Sequence, residues 1–193
     1  MITHLSGKLS EKNPTYVVIE CNGVGYFVNI SLFTFSNLSS NEAIKLYTHL
    51  QVREDAHTLY GFSSVAEREI FKLLISVSGI GANTARTMLS SLTPKQVREG
   101  IATEDVALIQ SIKGIGAKTA QRVIIDLKDK ILKIYDIDEV SVKESNTNKD
   151  QALSALEVLG FNKKQADKVL DKLAIAQPEA SVEELIKQAL KKL

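Results

Sequence analysis

Two stretches of the chain suggest a chemistry that needs no reactive side chain. Gly79-Ile80-Gly81-Ala82-Asn83-Thr84-Ala85 and Gly114-Ile115-Gly116-Ala117-Lys118-Thr119-Ala120 lie 35 positions apart and hold four of the ten glycines. Glycine opens backbone conformations closed to other residues and lets main chain come close to a ligand. A row of backbone N–H groups at the start of a helix, reinforced by the helix dipole, is an anion site. An anion held this way, with no side chain reaching past it, is most simply a nucleic-acid phosphate. Such contacts position a backbone and read no bases. The candidate contacts are Gly79, Gly81, Asn83, Thr84 and Arg86 in the first copy, and Gly114, Gly116, Lys118, Thr119 and Arg122 in the second.

The flanks say which elements carry these turns. Leu74, Val77, Ala85, Met88 and Leu89 in the first copy match Ile109, Ile112, Ala120, Val123 and Ile124 in the second, at helical spacing on either side of each turn. Each copy therefore predicts helix, Gly-Ile-Gly turn, helix. Ile80 and Ile115 should tuck inward, and the small Ala85 and Ala120 should let the helices approach. Two such sites can hold two phosphates, and a pseudo-twofold pair could grip both strands across a minor groove. A dinucleotide fold fits poorly, because the third glycine is missing and a helix precedes the turn where a strand is required.

Residues 1–63 read differently. Thr15–Glu20 and Val24–Ile30 flank Asn22-Gly23, a strong hairpin signal because both residues tolerate positive φ. Residues 43–52 and 57–62 make a second pair around Arg53-Glu54-Asp55-Ala56, and Met1–Lys8 adds a strand. Five short strands suggest a small closed barrel, since closure removes exposed edges. Helix starts follow at Ser64-x-x-Glu67, a capping box, and at Thr93-Pro94, with Thr103 and Asn162 as further candidate caps. Residues 136–149 are polar and acidic and read as a flexible linker. Residues 150–193 predict three helices at 150–159, 163–174 and 181–192, the last capped by Ser181-x-x-Glu184.

Bulk properties bound the function. The net charge is +1, but residues 1–63 carry four basic and five acidic side chains, 64–135 eleven and seven, and 136–193 nine and eleven. The basic excess thus sits in the segment holding the repeat. No apolar run approaches a membrane span, no secretion signal opens the chain, and the single cysteine, Cys21, fits a reducing cytoplasm. His4, His49 and His57 lack metal-ligand spacing, and no phosphate loop ending in Gly-Lys-Ser/Thr is present, so neither a metal site, a cofactor nor ATP hydrolysis is expected. Helix–hairpin–helix turns also occur in DNA glycosylases and nucleases. Asp126 and Asp129 follow the second turn, but alternate with Lys128 and Lys130 as surface charges do. A scaffold that binds any duplex is a third reading.

Both Gly-Ile-Gly copies, together with the strand-rich first third, "REDAHTLYGF" at 53–62, the linker and the three-helix tail, resemble the RuvA family along the whole chain. These are bacterial subunits that bind Holliday junctions and recruit the RuvB motor. The resemblance implies an α+β protein: an OB-like barrel at 1–63, a tandem helix–hairpin–helix domain at 64–135, a linker at 136–149 and a motor-binding domain at 150–193. It implies a homotetramer or octamer on four-way junction DNA in the bacterial cytoplasm, with no catalytic residue of its own, and a junction resolvase of the RuvC type as a possible partner. It also gives Glu54 and Asp55 a role as an acidic pin that repels phosphates where the strands cross and so penalises uninterrupted duplex. In the tail, Ala152, Leu153, Ala155, Leu156, Val158 and Leu159 cover more of the first helix than one buried stripe needs. Leu156, Leu159 and Leu190 are the expected motor contacts, and Leu159-Gly160-Phe161 resembles the turn of ubiquitin-associated-like domains.

Overall fold

The computed structural model describes residues 1–39, 42–131, 148–177 and 180–193, and the chain divides into two compact units, 1–139 and 140–193. In the first unit five strands close a barrel in the order β1-β2-β3-β5-β4. They are β1 (His4–Asn13), β2 (Tyr16–Cys21), β3 (Val24–Ile30), β4 (Ala43–Val52) and β5 (His57–Phe62). All neighbours are antiparallel except β3 and β5. Alternation turns Val17, Ile19, Val28, Ile30, Ile44 and Leu46 into the barrel, where all are buried. The β2–β3 hairpin closes at Asn22-Gly23, with φ of 50° and 84°, the left-handed pair that the expected turn requires. β1 extends five residues past the expected Lys8, because it pairs with β2 beyond an irregularity between Leu9 and Glu11 as well as with β4.

The strand-rich segment also holds a helix that the sequence reading lacked, α1 (Leu32–Asn37), capped by Ser31 Oγ accepting from the Thr34 N–H. Beyond β5 come α2 (Val65–Ile75), α3 (Ala82–Ser91), α4 (Pro94–Ala102), α5 (Val106–Gln110) and α6 (Ala117–Ile131). Their core is continuous with the outer face of the barrel: the Phe71 ring lies 5.1 Å from that of Tyr60 and 4.9 Å from that of Phe62. Thr93 and Gln96 form a complete capping box at the start of α4. Two cap expectations need correction. Thr103 closes α4 rather than opening a helix, and Asp105 caps α5 by accepting from the Leu108 N–H. Ser64 caps α2, but the Glu67 side chain does not turn back to it, because buried donors on the barrel side engage it instead.

The second unit packs α7 (Asn148–Val158), α8 (Lys163–Ala176) and α9 (Val182–Ala189) around Leu156, Leu170, Leu173 and Leu185. Asn162 and Ser181 cap α8 and α9 as expected. α7 starts at Asn148, inside the expected linker. Asn148 donates to the Ala180 carbonyl at 2.9 Å, and Lys149 pairs with Asp167 at 2.8 Å and Asp171 at 2.5 Å. The two carboxylates hold the Lys149 ammonium above its ordinary pKa. The rest of the expected linker, 136–147, lies outside the described residues.

Candidate nucleic-acid interface

The two Gly-Ile-Gly copies have the same main-chain geometry. Gly79 and Gly114 have φ of 96° and 92°, in the left-handed region that only glycine enters without strain. The Ile80 N–H donates to the Val77 carbonyl, and the Ile115 N–H to that of Ile112, both at 3.0 Å. The Ala85 N–H reaches the Gly81 carbonyl and the Ala120 N–H the Gly116 carbonyl, both at 2.9 Å. Ile80 and Ile115 are buried beneath their turns, and Ala85 and Ala120 are fully buried where the helices meet. Every apolar position of the repeat serves the core, which leaves the glycines and the first helical turns outward.

At the start of α3, Gly81 is the cap residue, with no side-chain cap hydrogen bond among the described residues. A Cβ built on Gly81 or Gly116 meets nothing within 4 Å, so both glycines face open space. The turns lie close together: a Cβ on Gly79 would stand 3.9 Å from Thr119 Cγ2. Outward N–H groups at a helix start, unobstructed and uncapped, have the geometry and the polarity to hold an anion.

The flanking side chains make the copies unequal. Asn83 in the first copy occupies the place of Lys118 in the second, and both are exposed. Thr84 and Thr119 are matched and half-buried. Lys118 and Arg122 have no hydrogen bond or ion pair among the described residues, which leaves two cations beside the second turn. Arg86 is different: its Nη1 donates to Asn29 Oδ1 at 2.9 Å and to the Thr15 carbonyl at 3.3 Å. That guanidinium is engaged with the barrel, a contact invisible to a reading of the repeat alone. The second turn is therefore the more strongly basic. Lys118→Ala and Arg122→Ala are expected to weaken binding to all DNA junctions alike. Each should flatten the slope of log affinity against log salt by about 1, because each removes one phosphate contact and its released counterion. Titrations on junctions of different sequence check this; a strong dependence on sequence would count against it.

Glu54 and Asp55 lie at the exposed β4–β5 turn, closed by the Arg53 N–H donating to the Ala56 carbonyl at 2.9 Å. This turn approaches the first Gly-Ile-Gly copy. Arg53, Asp55 and Thr58 line one groove of about 230 Å³ with Gly81, Ala82 and Asn83. Asp55 and the start of α3 thus share a surface, which no spacing in the sequence reveals. Among the described residues, no three His, Cys, Asp or Glu side chains gather to hold a metal ion, and no helix is long and apolar enough to cross a membrane.

In the second unit, Leu159 is 59% exposed and Leu190 45% exposed, as a docking role for them requires. Leu156 is fully buried against α8 and α9, so it belongs to the core and cannot meet a partner. Too many apolar residues on α7 hid which stripe faces inward. Val158, 85% exposed, and Ile186 join Leu159 around a hollow of about 610 Å³.

Comparison with known proteins covers the chain from end to end. Residues 1–61 match the family described as RuvA N terminal domain, 71–129 the SAM-like helix-hairpin-helix tandem, and 147–193 the RuvA C-terminal domain. The chain is similar to a protein of Christiangramia forsetii named Holliday junction branch migration complex subunit RuvA, 67% identical over the full length of both. Proteins of the same name from Flavobacterium psychrophilum and Bacteroides thetaiotaomicron are 65% and 46% identical, again over the full length of both chains.

Proposed function

The chain belongs to the RuvA family, and from that premise we propose that it binds four-way DNA junctions, holds them open and couples them to a RuvB-type ATPase motor for branch migration. The observation that carries this reading is the matched pair of Gly-Ile-Gly turns, open and outward, one of them sharing a groove with the acidic β4–β5 turn. The turns hold phosphates of the arms through main-chain amides and so bind without regard to sequence. Glu54 and Asp55 repel phosphates at the crossover, where an uninterrupted duplex would press them closest. The working form is a homotetramer, which brings one hairpin face to each arm and the acidic turns to the centre. The chain serves as the DNA-binding subunit in the bacterial cytoplasm, leaves ATP hydrolysis to the motor, and can present the open junction to a RuvC-type resolvase. The exposed apolar hollow on the second unit is the face offered to the motor.

The test is a gel-shift comparison of a four-way junction with a duplex of equal length and sequence. The parent should prefer the junction. Glu54→Gln with Asp55→Asn should gain duplex affinity by roughly two- to fivefold at low salt, and by less at physiological ionic strength, where the screening length is about 8 Å. Junction affinity should hold or rise. A parent that binds both DNAs equally would sink the junction reading. Mg²⁺-dependent strand cleavage that the double variant loses would make the acids part of an enzyme instead.

A further inference from the structure

Glu67 is fully buried, with 0% exposure. A buried carboxylate is costly unless its oxygens are satisfied, and this one is. It accepts from Ser31 Oγ at 2.6 Å, from Thr34 Oγ1 at 2.8 and 2.7 Å to its two oxygens, and from Ser63 N and Ser63 Oγ at 3.0 Å each. These donors come from separate parts of the fold. Ser31 and Thr34 belong to the cap and first turn of α1, Ser63 directly follows β5, and Glu67 itself sits in the first turn of α2.

Each partner leads to a functional element. β5 begins at His57, just past the Glu54-Asp55 turn. α2 runs forward to the first Gly-Ile-Gly turn, and α1 is tied to α3 by the Leu32 N–H donating to Ser90 Oγ at 3.1 Å. One carboxylate on α2 therefore ties together α1 and the residue that ends β5, the strand that follows the acidic turn, and reaches α3 through α1. The groove that Asp55 lines with Gly81 and Asn83 lies between the start of β5 and the start of α3, two of the elements so linked.

We infer that Glu67 is a positioning residue for junction selectivity: it sets the distance between the acidic turn and the amides of the first hairpin. This rests on the reading that the hairpins hold phosphates and the acidic turn disfavours duplex. The network is satisfied on every side, so it has one low-energy arrangement. Glu67→Gln keeps the volume but places an NH₂ among donors. Its remaining oxygen can still accept from the Ser63 N–H and hydroxyl, but the NH₂ then stands where an oxygen accepted from Ser31 Oγ. The Ser31 hydroxyl, which caps α1 by accepting from the Thr34 N–H, loses that acceptor, and the carboxylate's charge is gone. A role confined to stability would lower the melting temperature and leave the preference for junction over duplex where it was.

The experiment measures junction and duplex dissociation constants for the full chain, Glu67→Gln and Thr34→Val, below their melting temperatures. The ratio of duplex to junction constants should fall at least fivefold in Glu67→Gln and at least twofold in Thr34→Val, with duplex binding unchanged or tighter. A ratio within twofold of the parent in folded Glu67→Gln overturns the inference, as does a parallel loss of both affinities. Should Glu67→Gln not fold, Thr34→Val, which removes a hydroxyl and no charge, decides alone by the same criterion. A parent without junction preference overturns the proposed function as well; a parent with it, and a ratio that does not move, overturns only the role of Glu67.

Discussion

Gly116→Ala is expected to fold as the parent does and to bind junction DNA at least tenfold more weakly. The added Cβ meets no protein atom within 4 Å, and Gly116 lies outside the left-handed region, so the chain has little reason to resist the change. The methyl group would instead occupy the space in front of the α6 amides. A phosphate oxygen must come within about 2.9 Å of an amide nitrogen to accept from it, and a methyl group beside that path holds it off. Gly81→Ala is the matched variant at the first turn, where φ is −86° and a Cβ is again unobstructed. Its effect should be smaller, because Lys118 and Arg122 beside the second turn have no partner among the described residues, while Arg86 is engaged with Asn29 and Thr15 beside the first. Gly79 and Gly114 are poorer test positions. Their φ of 96° and 92° would strain any side chain, by roughly 1–2 kcal/mol, and lost binding could then follow from a displaced turn. Circular dichroism and a melting curve establish folding, and a junction titration gives the affinity. A folded Gly116→Ala variant that binds as the parent does would remove the phosphate-clamp reading of both turns.

The repeat was legible because every one of its constraints is local. A left-handed glycine, an isoleucine beneath the turn and an alanine at the helix crossing each leave a mark at a fixed offset, and the marks recur 35 residues on. The barrel was legible for a similar reason: Asn22-Gly23 fixes a hairpin, and alternation fixes its faces. What escaped the sequence reading is long-range. α1 carries Leu32, Phe33, Thr34 and Phe35, residues as suited to a strand, and only the Ser31 cap marks it as a helix. Glu67 fits a capping box three residues after Ser64, yet its side chain is taken by partners 33 and 36 residues away. Arg86 belongs by spacing with the expected DNA contacts of its helix, and Asn29 on β3 claims it. In each case the local pattern was sound, and a tertiary contact chose among the outcomes that it allowed.

The same distinction governs the tail. A chain stopped at Lys143, a position outside the described residues, is expected to bind junctions within about twofold of the full chain and to lose stimulation of the motor altogether. Residues 1–139 have hydrophobic cores of their own, and the tail has a separate one, so neither needs the other to bury its apolar side chains. Truncation alone cannot say which surface does the coupling; point variants can. Leu159→Asp and Val158→Asp put a charge on side chains that are already in solvent, so the three-helix unit should fold and coupling to the motor should fall at least tenfold. Leu156→Ala is the control. It opens a cavity in the core at a cost of about 2–5 kcal/mol, a large share of what so small a unit can muster. That variant should lose coupling together with its helical signal, whereas the Leu159 and Val158 variants should lose coupling alone. Motor-dependent branch migration, measured beside junction binding for all four proteins, separates the surface from the core. Normal coupling in folded Leu159→Asp and Val158→Asp would show that the motor docks elsewhere on the tail, with the exposed Leu190 as the next side chain to test.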